Sequence, residues 1–207
     1  SIQSLPDSGY EADDGRPKQS KSPLQQRYIE SLLAANRGRA LDVVMRAIHQ
    51  GTTVESIYLD VIQPSQRELG RLWQAGAITV AQEHYCTAAT QFVMSQLQSY
   101  ILTNERSDKS VLATCVGDEL HEVGLRIVTD LFEIHGWNTV YLGAITPETS
   151  IADELVKNEC QILAISTTMA PHLFKMAEMI HTVKSHDGCG QTKILVGGYP
   201  FNVEPYL

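Results

Sequence analysis

The sequence predicts an α + α/β protein: a bundle of four helices, followed by a doubly wound domain built on a parallel sheet. Three observations predict it. Between residues 23 and 105, apolar side chains recur at helical spacing with short joints between the runs. From residue 109 onward, short and nearly all-apolar runs alternate with amphipathic stretches, the pattern of strands covered on both faces by helices. The change of pattern falls at a single polar stretch, "NERSDKS".

Residues 1–22 are rich in Ser, Asp, Gly, Pro and Lys and have little to bury, so they predict a disordered leader. "LQQRYIESLLAANR" puts Leu24, Tyr28 and Leu32 on one stripe, and "GRALDVVMRAIHQG" does the same with Leu41, Val44 and Ile48 before stopping at Gly51. "VESIYLDVIQPSQRELGRLWQAG" predicts a third helix, bent or split at Pro64, whose ring clashes with the preceding turn. The fourth helix opens at Thr79. Thr79-Val80-Ala81-Gln82 fits a capping box, in which the hydroxyl and the amide satisfy backbone N–H groups reciprocally. In the second half, "VLATCVGD", "NTVYLGA", "QILAIST" and "KILVGG" read as strands. "HEVGLRIVTDLFEIHG", "TPETSIADELVKNE", with Pro147 in its first turn, and "HLFKMAEMIHTVKSH" read as the helices between them.

Bulk properties restrict the function. The 207 residues carry 24 acidic against 16 basic side chains, a net charge of −8, so a nucleic-acid-binding surface, which needs a clustered positive field, is not expected within this chain. No apolar run has the length of a membrane span, and no secretory pattern opens the chain. The four cysteines are far apart and form no C-x-x-C pair, which predicts buried or free thiols in a reducing cytoplasm rather than a zinc site. The chain starts at Ser1 rather than Met and stops at "FNVEPYL". These ends lead to the expectation of a fragment, with a natural protein that continues past Leu207.

Two stretches carry the chemistry. In open parallel sheets, ligands bind beyond the carboxyl ends of the strands. The loop after the first strand, "GDELHEVG", holds His121, with Glu119 two residues before it and Gly124 three after. Taken alone, such a His fits a helix cap or a surface residue. It also fits a metal ligand whose other nitrogen leans on a carboxylate, Glu119 or in reserve Asp118. A zinc-protease helix is excluded, because Leu125 stands where the second His is needed. The third strand ends in "AISTTM", offering Ser166, Thr167 and Thr168, and the fourth in "VGGYPFN", offering Gly197 and Gly198. Together they describe a slot with a His at its mouth, hydroxyls on one wall and bare backbone on the other. The other stretch is "LWQAGAITVAQEHYC". Trp73, Glu83 and His84 fit either a core Trp with a solvated Glu-His pair, or the lid of a ligand pocket.

In order, "ELHEVG", the Ser of "AISTT" and the glycines of "VGGYPF" resemble the motif set of cobalamin-binding domains with a flavodoxin-like fold. The resemblance implies cobalamin bound with its dimethylbenzimidazole tail swung into the slot and His121 as the lower cobalt ligand. Glu119 would be its carboxylate partner, in place of the commoner Asp. It further implies that Leu120, Val123, Gly124, Ser166, Thr168, Gly197 and Gly198 bind the cofactor. A helical bundle before such a domain caps the upper face of the corrin. The Trp, nine residues, then Glu-His resembles CarH-like photoreceptors, where the cap shelters a 5′-deoxyadenosyl group; here Trp73, Glu83 and His84 match.

That resemblance implies an adenosylcobalamin-binding light sensor, not an enzyme. It would lose its adenosyl group on illumination and signal by bundle movement, in transcriptional regulation, to a regulator protein or a fused output domain, with a possible light-dependent homo-oligomer. In those relatives a His directly after the Trp takes the upper cobalt position after light. Gln74 stands there in this chain, so the expectation is water on the upper face, with His84 as the alternative ligand. Two other readings stay open: a corrinoid methyl carrier of a methyltransferase system, holding methylcobalamin, and a light-independent cobalamin sensor.

Overall fold

A computed structural model describes residues 21–101, 106–117 and 120–203. Its first part is helical. α1 (Pro23–Leu33) starts where the Ser22 hydroxyl accepts from the Gln25 N–H, and α2 (Arg37–His49) where the Asn36 side chain accepts from the Arg39 N–H. A third helical stretch runs from Val54 to Gln74 in three windings: a short α3 (Val54–Ser56), a π-helical segment (Ile57–Ile62) and α4 (Gln63–Gln74). α5 (Val80–Ile101) follows a short turn. These elements enclose one core, in which Tyr28, Leu32, Val44, Ile57, Leu69, Val93 and Leu97 are buried.

Pro64 does not split the third stretch. It sits in the first turn of α4, and the preceding turns are wound wider, so that the Gln63 N–H bonds back to the Tyr58 carbonyl. The π winding shifts the hydrogen-bond ladder by one residue just where the proline ring lacks an N–H. The capping box at Thr79 forms as read: the Thr79 N–H donates to Gln82 Oε1 at 2.9 Å and the Gln82 N–H donates to Thr79 Oγ1 at 3.2 Å.

The second part is a four-stranded parallel sheet in the order β2-β1-β3-β4, made of β1 (Ser110–Cys115), β2 (Asn138–Gly143), β3 (Ile162–Ser166) and β4 (Lys193–Gly197). Its helices are α6 (Val123–Ile134), α7 (Glu148–Lys157), α8 (Leu173–Ser185) and a short α9 (Tyr199–Val203). Alternation along the strands builds two cores. Val111, Ala113, Cys115 and Ala164 face the α6 side, while Leu112, Leu163 and Ile165 pack with Ile151, Leu155, Met176 and Met179 of α7 and α8. Burial on both faces holds for β1 and most of β3. β4 is an edge strand, and its Leu195 is 43% exposed because α6 covers β1 and β2 rather than β4. Three starts differ from the sequence expectation. α6 begins at Val123, leaving His121 in the loop. Pro147 is the N-cap of α7 rather than a first-turn residue. A 3-10 turn (Ala170–His172) precedes α8.

The two parts meet along α5 and α6. Ile127 belongs to the bundle core, and Val123, Leu131 and Ile134 pack against it. A buried polar cluster crosses the seam: the Tyr58 hydroxyl donates to Asp130 Oδ2 at 2.6 Å and Gln98 Nε2 donates to Asp130 Oδ1 at 2.9 Å. Burial pushes the Asp130 carboxyl up despite these bonds and the nearby Arg126. Among the described residues no helix is long and apolar enough to cross a membrane.

Candidate functional site

The central strands β1 and β3 send their following helices to opposite faces, which makes their carboxyl ends the switch point of the sheet. The loop leaving β1 passes Gly117, in the left-handed region with φ of 56°, and reaches His121. Asp118 and Glu119 lie outside the described residues, so the expected carboxylate partner of His121 does too. The Glu122 N–H bonds to the Leu120 carbonyl at 3.0 Å, a tight three-residue turn centred on His121. Leu120, at 68% exposure, and His121 both stand at the surface.

Glu122, which no motif singles out, anchors this turn. Its carboxylate accepts from the Tyr141 hydroxyl and from the Ala144 N–H, each at 3.2 Å, and so ties the His121 loop to the end of β2. Burial, and then the charge of Glu122, push the Tyr141 hydroxyl up, so it stays a donor. In the sequence Glu122 looks like any acidic residue before a helix.

Ser166 pairs in register with Cys115 on one side and Gly197 on the other. The ladder runs one residue further, with the Thr167 N–H on the Gly197 carbonyl at 3.1 Å. Gly198 has φ of 117°, and a Cβ there would lie 1.7 Å from the Thr167 carbonyl oxygen, so only glycine fits. Gly197 and Gly124 are the reverse case: a Cβ on either meets nothing within 4 Å. Ala164, Ser166 and Gly197 therefore form a small-residue floor on the α6 side of the sheet, beside the first turn of α6. Thr168 is half-buried just beyond it, whereas Val123 packs on the bundle core. A groove of about 720 Å³ does exist elsewhere, lined by Lys109, Trp137, Gln161 and Lys193, but it opens at the amino ends of the strands.

The bundle contributes the turn between α4 and α5. Gln66 Nε2 donates to Thr90 Oγ1 at 2.7 Å, which sets the two antiparallel helices level at that pair. Moving seven residues toward the turn on each helix, nearly two full turns, reaches Trp73 on α4 and Glu83 on α5. Helical spacing from that pair places them on the facing sides of the two helices at about one height. Trp73 is 48% exposed and is not a core residue. His84 Nδ1 lies 2.7 Å from Glu83 Oε2, a contact in which the ring N–H donates and the carboxylate accepts.

The same helix relates this trio to His121. Arg126 Nη2 donates to Ser95 Oγ at 3.4 Å and Gln98 reaches Asp130, so α5 and α6 run parallel. α6 begins at Val123, and by the pairing above the first turns of α5 extend past that start. His84 shares the α6-facing stripe of α5 with Ser95 and Gln98, and projects past the start of α6 by roughly 12 Å at 1.5 Å per residue.

Two family models match, each described as a B12 binding domain: one over residues 24–98, the other over residues 109–207. This is a cobalamin-binding protein. The trimethylamine corrinoid protein 1 of Methanosarcina mazei is 22% identical over 78% of this chain and 76% of its own length. The HTH-type transcriptional repressor CarA of Myxococcus xanthus is 26% identical over 76% of this chain, which spans 53% of that repressor. The fold is shared with the monomethylamine corrinoid protein of Methanosarcina barkeri, at a TM-score of 0.75 over 87% of this chain and 86% of that one, with 16% identity.

The residues present fit the cofactor. Among the described residues there is no group of three or more His, Cys, Asp or Glu that could hold an ion by itself. A single exposed imidazole suits a metal that brings its own macrocycle. The small-residue floor, with open space at Gly197 and Gly124, suits a flat ring system laid against backbone. The cysteines are not competing ligands: all four are buried, and burial pushes the Cys86 thiol up to about 11 and raises Cys160 and Cys189 as well.

Proposed function

We propose that this chain binds adenosylcobalamin and serves as the sensory part of a light-responsive regulator. The observation that carries this reading is the polar trio beside the α4–α5 turn: a half-exposed Trp73 and a Glu83 carboxylate bonded to His84, set near one height by helical spacing. A cap over a methyl group needs only apolar side chains. A nucleoside needs a flat surface and hydrogen-bond partners for hydroxyls and an amino group. When bound, adenosylcobalamin supplies a cobalt–carbon bond that light breaks. His121 would hold cobalt from below, while Ser166, Thr168, Gly197 and Gly198 would flank the tail and Leu120 and Gly124 the His121 loop. Glu119 remains the proposed partner of His121. Trp73 would cover the nucleoside, and Glu83 and His84 would bond to it. Loss of the nucleoside would remove its contacts to Trp73, Glu83 and His84, and the bundle would signal by moving relative to α6, to a regulator protein, a fused output domain or a second copy. The likeness to a transcriptional repressor supports this output.

A second reading has its own support, the match to a trimethylamine corrinoid protein over most of both chains. In that case the cap shields methylcobalamin and the partner is a methyltransferase. One experiment separates them. The chain is loaded with adenosylcobalamin or methylcobalamin and its absorption spectrum recorded before and after green light. Preferred binding of the adenosyl form, with a spectral change and loss of the nucleoside, is the expected result. Equal or better binding of methylcobalamin would transfer the case to the carrier.

A further inference from the structure

Glu83 does not stand alone in the cap. Its Oε1 accepts from the Thr87 hydroxyl at 2.9 Å, one helical turn on. Thr87 Oγ1 also lies 3.4 Å from Gln66 Oε1 on α4. The one hydroxyl proton is directed mainly to the nearer, charged acceptor, with Gln66 Oε1 as its weaker second acceptor. The Gln66 amide is in turn fixed in one sense, with Nε2 donating to Thr90 Oγ1 at 2.7 Å and Oε1 turned toward Thr87. The buried Tyr28 hydroxyl donates to the same Thr90 oxygen at 3.1 Å, which anchors the row in the bundle core. Glu83, Thr87 and Thr90 follow one another at helical spacing on the α4-facing side of α5.

This row does two things to the carboxylate. Bonds to Thr87 and His84 use one position on each oxygen and fix the plane of the group. A carboxylate has about four acceptor positions, so two remain for a ligand. Gln66 also joins α4 to α5 at the height from which Trp73 and Glu83 are set level, so the spacing of the aromatic face and the carboxylate is held by the same residue.

We propose that Thr87, braced by Gln66 and Thr90, is a positioning residue that sets the preference for the upper ligand by orienting Glu83. This rests on the adenosyl reading above. Glu83 with an unconstrained side chain must pay rotamer entropy on bonding a nucleoside, whereas the braced group has already lost it. Methylcobalamin, with nothing for Glu83 to bond, is indifferent to the brace.

The test is competition between adenosyl- and methylcobalamin for the full chain and for Thr87→Val, Thr87→Ser and Gln66→Met. Thr87→Val keeps the shape and removes the proton donor. The expected result is a roughly tenfold lower adenosyl-to-methyl preference in Thr87→Val, the upper end of the cost of immobilising one side chain on binding. Thr87→Ser should restore the parent ratio, and Gln66→Met should lower it by about threefold. Methylcobalamin affinity should stay within about twofold of the parent. A parent that prefers the adenosyl form together with an unchanged ratio in Thr87→Val overturns the inference alone. Equal weakening of both cofactors, or failure of Ser to restore the ratio, reduces Thr87 to a packing residue. A parent with no adenosyl preference overturns the reading beneath and this inference with it.

Discussion

The two ends of the site are built differently. Below, the slot is made of backbone and small residues: a left-handed glycine pressed against the Thr167 carbonyl, open space at Gly197 and Gly124, and one exposed imidazole on a tight turn. Above, the α4–α5 turn relies on side chains bonded to side chains, from Tyr28 through Thr90 and Gln66 to Thr87 and Glu83. Backbone contacts recognise a shape that every form of the cofactor shares. Side-chain bonds recognise what differs between forms. On the proposed reading, the lower end would govern whether cobalamin binds, and the upper end which cobalamin.

That division breaks most severely at Gly198. Gly198→Ala places a methyl 1.7 Å from the Thr167 oxygen at φ of 117°, and the strained backbone alone costs on the order of 3 kcal/mol. Chemical denaturation should show the loss, with cobalamin binding abolished. A folded variant that binds normally would remove the backbone account of the lower end. Next comes His121→Ala. Its affinity for every cobalamin form should fall by about 100-fold, the upper range for a perturbed metal site. The spectrum should be that of a water-ligated lower face, and thermal stability without cofactor should be unchanged. Trp73→Ala acts on the other half of the division: adenosyl preference should drop about tenfold as aromatic contact is lost, with methylcobalamin binding retained. A uniform loss for both forms would mean that the upper end does not discriminate.

The smallest effects are those of pH, and they have opposite signs. Arg71, with Lys21, holds Glu68 down at about 2, so the stability it contributes is present above the ordinary carboxylate value near 4.5 and is lost as pH falls from there to about 2. Asp130 at the seam is pushed up by burial, so its charged form is penalised in the folded state. Stability therefore falls as pH rises from the ordinary carboxylate value through the raised one. Melting temperatures across mildly acidic pH should show this slope, and Asp130→Asn should flatten it while leaving the Glu68 limb below pH 4.5 in place.

Local signals made much of this legible. Periodicity separated the helical part from the sheet, the capping box placed the start of α5, and the motif order brought Ser166 and Gly197 into one register. What escaped depends on partners distant in sequence or on small changes of winding. Tyr58 and Gln98 meet Asp130 across 72 and 32 residues. Nothing local marks Asp130 as buried. Pro64 announces a disturbance but not its form, because a wider π turn absorbs a missing donor as well as a break does. Glu122 was hidden for a third reason: its acceptor role belongs to Tyr141 and Ala144, on a strand that is adjacent only after folding.

α5 is a single rod of 22 residues, fastened to α6 near its far end and unsupported by it near its start. Mechanically it is a lever with its fulcrum at Gln98 and Asp130. The arm from there to His84 is roughly 21 Å long at 1.5 Å per residue, so a tilt of about 10° carries the tip about 4 Å. Motion of that size at a nucleoside would correspond to small rotations at the fulcrum, and a partner that grips the short arm beyond Gln98 would receive the same turn with less travel and more force.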